Sequence, residues 1–489
     1  MSLHCFWYFC YQQNINLMNL KKQILINVSC ILVMMFSSLL HLSAKDIYVN
    51  QKTWRQLVSQ ETVTLQAGDR LLFKRGEVYQ GVIRITGKGT ADCPVLIDAH
   101  GKGTKPCIIA PKDSLYTILV YNSDYLTVQN IDITNHATER IAGRTGIKVS
   151  CVDYGVSHGL TLRSLNIHDI KGSLIKHSGE GSGILIHNSW KSIPSAFDSL
   201  LVENCIVRRC ERNGIIWSAN SDRTKWFPNR HVVVRKCLID QVPGDGIVPI
   251  GCDSVLVEYN LMRDSPDILP EKEAAAGMWP WSCDNSIIQF NEVTGHKAHW
   301  DGQGFDCDYN CNNTIIRYNY SHDNYGGFLL VCSPKLDSFN MGNVGSVVEY
   351  NLSVNDGIRP YPARTKKHFS PIIHISGPCY NTLISHNIIY NDGSHEKDED
   401  PNFIYSGEWD DIAKCTYILD NVFYTNKDSL DLDISNSIRT YLSGNKVYPA
   451  KSFDLQKLPM KKVVIADGEA EVSCLHSKRT RFTMQKESF

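Results

Sequence analysis

Two aspartates separated by a single residue, in Gly304-Phe305-Asp306-Cys307-Asp308, are the side chains best placed to do acid–base work. On a β-strand, Phe305 and Cys307 turn to one face and both carboxyls to the other, with Cα atoms ~6.6 Å apart. At that spacing two carboxyl groups can flank a glycosidic bond and leave room for water. Like charges resist being ionised together, and nearby aromatic rings reduce solvation, so one carboxyl would keep its proton near neutral pH. A matching phrase, Gly277-Met278-Trp279-Pro280-Trp281, puts two tryptophans where the later phrase has aspartates. One rung apart, at ~4.8 Å, these rings would form a platform on which a sugar could lie beside the acids.

The neighbourhood supplies more candidates. Asp301, and the pair His322 and Asp323, lie in turns feeding the same strands, and any of these acids could replace one strand aspartate as the second carboxylate. Asp245 and Gln303 occupy equivalent positions just before their strands, and Trp300 could line a subsite. The candidate catalytic residues are therefore Asp306, Asp308, Asp323, Asp301 and His322, and the candidate sugar-binding residues are Trp279, Trp281, Asp245, Gln303 and Trp300. The bland alternative is that the acids are solvated surface groups or hold a structural cation. Further along, Arg359, Arg364, Lys366 and Lys367 make a basic loop that would suit uronate carboxyls. No metal site is assigned.

What must position these residues is a repeat. Leu-Val-Glu-Tyr-Asn260, Ile-Ile-Gln-Phe-Asn291, Ile-Ile-Arg-Tyr-Asn319, Val-Val-Glu-Tyr-Asn351 and Leu-Ile-Ser-His-Asn387 align on one asparagine, at steps of 31, 28, 32 and 36 residues. A second column begins strands with glycine, as in Gly183-Ile184, Gly214-Ile215, Gly246-Ile247, Gly277-Met278 and Gly304-Phe305. The period is too short for a propeller blade and too rich in Val, Ile and Tyr for a helical repeat. It fits one coil of a parallel β-helix, an all-β solenoid, with asparagine amides bridging successive rungs. Two sequons, at Asn319 and Asn351, fall in this buried column and are structural.

The ends differ from the middle. Met18-Asn-Leu-Lys-Lys, an apolar run over 24–42 and Ser43-Ala44 have the parts of a signal peptide, predicting cleavage after Ala44 and an exported, periplasmic or extracellular protein. The organisation expected is an upstream segment and leader over 1–44, an N-terminal cap with the first coils over 45–110, the β-helix over 111–450, and a C-terminal cap or tail over 451–489. Of 17 cysteines, three precede the cleavage point, and none has zinc-site spacing. Lysines and arginines number 50 against 51 acids, which recommends neither nucleic acid nor a membrane surface as partner. No membrane span is expected in the mature chain.

The phrases Asp-Gly-Gln-Gly-Phe-Asp306-Cys-Asp308-Tyr-Asn, Asn313-Thr-Ile-Ile-Arg-Tyr-Asn-Tyr-Ser-His322-Asp323-Asn and Gly-Gly-Phe-Leu-Leu resemble exported right-handed parallel β-helix proteins of the pectate-lyase-like superfamily. The resemblance is greatest to glycoside hydrolases related to family 141. It implies a glycoside hydrolase acting on a complex polysaccharide or its oligosaccharides without a cofactor, with Asp306 and Asp308 at the family's acidic strand positions and Asp323 in reserve. Two other functions share the fold. A polysaccharide lyase would hold Ca²⁺ with aspartates and use a base such as Lys297 or Arg359. A noncatalytic glycan-binding protein would need the tryptophans and not the paired acids.

Overall fold

The glycine column sets how closely the coils stack. A Cβ on Gly246 would lie 2.5 Å from the Gly277 carbonyl oxygen, and one on Gly277 would lie 2.3 Å from that of Gly304. No side chain fits there, so backbone packs on backbone at the start of each strand. The computed structural model, which describes residues 22, 44–360, 369–393 and 403–476, shows these coils wound into a parallel β-helix. Among the described residues, one parallel sheet has 18 strands and a second has 13. The third face comprises sheets of seven and five strands, linked by bridges at Met278 to Ile247 and Phe305. The apolar residues of all three faces meet in one continuous interior running from Val49 to Phe423.

The asparagine column is an amide ladder. Asn260 donates to Asn291 Oδ1 at 3.0 Å, Asn291 to Asn319 at 3.0 Å, Asn319 to Asn351 at 3.0 Å and Asn351 to Asn387 at 2.9 Å. Each acceptor oxygen also takes the backbone N–H of the preceding asparagine, as Asn319 Oδ1 does from Asn291 at 2.9 Å. All these side chains are fully buried, the two sequons included. Outside the ladder, Tyr259, Phe290, Tyr318 and Tyr350 stack face to face at 5.0–5.4 Å. Replacing Asn319 with Leu strands the Asn291 N–H in a dry core, so a stability loss of about 1–3 kcal/mol is expected in urea unfolding. A loss below about 0.5 kcal/mol would show that the ladder does not need each rung.

At the start of the described chain, Asn50 caps the helix Gln51–Val58 by accepting from the N–H groups of Lys52 and Thr53 at 2.9 and 3.0 Å. The helix buries Trp54 and Leu57 against the first coils, where Trp54 meets Phe73 and Tyr79 edge to face. The stretch after residue 450 forms an antiparallel hairpin, Met460–Ile465 with Ala470–Leu475, laid along the side of the solenoid over the 13-stranded sheet. Ile465, Ala470 and Val472 pack on Ile206, Leu238 and Leu261, and Leu475 packs with Tyr318, Tyr320 and Leu352. The described cysteines are all free thiols. Among the described residues no helix is long and apolar enough to cross a membrane. The expected leader lies outside the described residues apart from Lys22 and Ala44.

Candidate active site

Strand alternation sorts the third face as its sequence implies. Met278, Phe305 and Cys307 are buried in the core. The other side of that face carries a column one residue wide, running Leu185, Ile216, Val248, Trp279, Asp306, Leu330, His374 and Tyr405. Ile216 and Val248 are also buried and pack with the main core. The column turns ionisable at Asp306, where three carboxyl groups meet.

Asp306 and Asp308 leave the same strand, Phe305–Cys307 and its next residue, in different surroundings. Asp306 was expected to be as exposed as Asp308, but it is only 4% exposed, and its Oδ1 is buried with no hydrogen-bond partner. Burial, and then the charges of Asp301, Asp308 and Asp245, push its carboxyl well above the usual range and so favour its neutral form. Asp308 keeps part of its surface exposed. Its Oδ1 accepts from the Tyr309 N–H at 2.7 Å and the Cys332 thiol at 3.1 Å. Burial outweighs those bonds and raises Asp308 to about 6. Asp301, also half-buried, lies close enough that its charge raises both.

The chain positions Asp301 by its backbone. Arg359, a candidate base in the lyase alternative, sends its guanidinium to the carbonyls of Ala298 and Asp301, each at 2.7 Å, and to Ser370 Oγ at 3.1 Å. It thus clamps the loop that carries Asp301, which is itself in the left-handed region at φ 61°. The rest of the basic loop, Arg364, Lys366 and Lys367, lies outside the described residues.

Trp279 is not an open platform. It is 6% exposed, with its indole N–H donating to Asp245 Oδ1 at 3.0 Å and the Lys176 ammonium 4.7 Å above its ring. Asp245 is wholly buried, yet against that burial the charges of Lys176, 3.7 Å away, and Arg212 hold its carboxyl below the usual range; it also accepts from Arg212 at 2.6 Å and from the Ala276 N–H at 3.0 Å. Arg212 is equally buried, and removing either member of such a pair strands a charge at a cost of about 3–5 kcal/mol. Asp245 therefore orients Trp279 and Lys176 and does not face a ligand itself. Gln303, three residues before Asp306, is buried with its Oε1 also unpartnered. Trp300 stacks on Phe369 at 6.3 Å and is half-buried. Trp281 meets Tyr309 edge to face and borders a separate cleft.

Two reserve candidates sit elsewhere. His322 and Asp323 belong to the 13-stranded sheet and the turn after it, on another face from Asp306. His322 is held between Asp323, at 2.7 Å, and Glu292, at 3.2 Å, whose other oxygen accepts the Ser473 N–H of the C-terminal hairpin. Glu292 thus links His322 to that hairpin. Sequence reasoning also missed Lys176 and Arg212. Arg212 had a faint signal, since it and Asn213 stand just before a column glycine as Asp245 and Gln303 do, whereas Lys176 comes from a connection with no period.

Residues 182–351 match a family model described as the right handed beta helix region. The chain is 24% identical to a lacto-N-biosidase of Bifidobacterium longum subsp. longum over 62% of its own length, and spans 24% of that protein. The crystal structure of a family 136 lacto-N-biosidase from Eubacterium ramulus superposes with a TM-score of 0.58 at 22% identity, over 79% of this chain and 63% of that one. This protein is a right-handed parallel β-helix. The likeness is to a curated lacto-N-biosidase and to a solved one of family 136, and it does not single out family 141, which the sequence resembles. It spans about a quarter of the curated relative and under two thirds of the solved one.

Proposed function

We propose that this protein is an exported glycoside hydrolase, in which Asp301 and Asp308 act on a glycosidic bond and Asp306 stands protonated behind them. The observation that carries this is the difference in access within one acidic cluster. A group that gives or takes a proton must reach the substrate. Asp301 and Asp308 each keep exposed surface, while Asp306 Oδ1 has none. One of the accessible pair would protonate the leaving oxygen, and the other would activate water or attack the anomeric carbon. Lys176 and Trp279, held by Asp245, would form the wall beside them. The likeness to lacto-N-biosidases supports a glycan substrate, and an oligosaccharide carrying lacto-N-biose is the first to try.

The test is a panel of p-nitrophenyl lacto-N-bioside, neutral plant polysaccharides and polyuronates, followed both by reducing-end release and by the absorbance of unsaturated uronate. New reducing ends without that absorbance are expected. Unsaturated uronate would make the protein a lyase, and binding with neither product would make it a glycan-binding protein.

A further inference from the structure

Next to Asp308 lies a cleft of about 510 Å³ whose wall includes Trp281 and Tyr309. We propose that this cleft is a second sugar subsite, apart from the point of cleavage, that takes an uncharged pyranose and rejects a uronate; the proposal rests on the hydrolase assignment of the adjoining acids. Continuity comes from the backbone. Tyr309 follows Asp308 directly and donates its N–H to that carboxyl at 2.7 Å, and Trp281 lies one rung before them. A glycan chain crossing Asp308 would therefore run on into the cleft.

The lining suits a sugar ring. Trp281 and Tyr309 meet edge to face at 5.5 Å, and Trp409 meets Tyr309 from another side at 6.2 Å. Phe339, also in the lining, is 58% exposed, and Trp409, which precedes the lining residue Asp410 and touches Tyr309, is 41% exposed, so apolar ring faces are left in water at the cleft and beside it. Such faces match the C–H face of a pyranose, whose hydroxyls need polar partners at its edge. The charged side chains of the lining are Asp222, Asp337 and Asp410 against Lys335. Carboxylates accept hydroxyl hydrogens well, and an excess of them repels a sugar acid.

Isothermal titration of the full chain with lacto-N-biose, N-acetyllactosamine, chitobiose, cellobiose and digalacturonate tests this. At least one neutral disaccharide should bind, with digalacturonate at least tenfold weaker. The double variant Phe339→Ala/Trp409→Ala should weaken the neutral ligand about tenfold at an unchanged melting temperature, and Asp410→Asn should narrow the gap to digalacturonate. The subsite is overturned if no neutral disaccharide binds, if digalacturonate binds as well, or if the double variant binds like the parent. Absence of hydrolysis with this binding pattern intact would instead overturn the hydrolase assignment and leave the subsite standing.

Discussion

Asp301→Asn and Asp308→Asn should each lower turnover by about 10²-fold or more, while Asp306→Asn should keep more than a tenth of it. The asymmetry follows from protonation. Burial and acidic neighbours favour the neutral form of Asp306, and an asparagine amide has nearly the shape and charge of that form. Asp308, raised to about 6, changes charge within the working range, and its Asn variant cannot. The parent rate should therefore have a limb near pH 6. A rate that falls above pH 6 marks Asp308 as the proton donor, and one that rises marks it as base or nucleophile. In either case the limb should vanish in Asp308→Asn. If Asp306→Asn is as damaging as Asp308→Asn, the reacting pair is Asp306 with Asp308, as strand alternation alone would have it.

The same carboxyl should cost the fold stability, and Asp308→Asn should recover it. The folded value of about 6 lies above the reference of 3.8, so the native state binds more protons between these values and stability falls as pH rises through that window. The difference of 2.2 (6 less 3.8) corresponds to about 3 kcal/mol at 1.36 kcal/mol per unit. Asp308 is partly exposed, and screening reduces this to about 1–2 kcal/mol. Asparagine can still accept from Tyr309 and Cys332, so the variant loses the charge and keeps the bonds. Its melting temperature should exceed that of the parent by about 1–3 °C at pH 7.5 and equal it near pH 4. A variant less stable than the parent at pH 7.5 would mean that the carboxylate is satisfied in the fold and not strained for catalysis.

The solenoid was legible because its information is periodic. The asparagine ladder and the glycine column recur every coil, and alternation correctly sent Phe305 and Cys307 to the core. Exposure on the other face was not legible, because it depends on connections that have no period. Lys176 arrives over Trp279 from one such connection, and Arg359 reaches back to the Asp301 loop from another. For that reason Trp279 read as a platform and Asp306 as an outward-facing acid beside it, though each is covered. His322 and Asp323 misled in a different way. They follow the same coil, but one corner of the solenoid separates their sheet from the acidic strand.

The hairpin on the 13-stranded sheet changes what kind of object this stack of coils is. Coils that touch only their neighbours behave as a linear array, and such an array can fray from either end one unit at a time. Here Asp467 pairs with Lys105 and accepts from Ser164, Ala466 donates to the Lys236 carbonyl, and Leu475 packs with Leu352. These attachments join coils far apart in the stack through one short ribbon. Melting any coil beneath it exposes apolar surface shared with several others, so local opening becomes a collective event. The ribbon thus supplies the long-range coupling that a one-dimensional stack lacks, on the face turned away from the acids.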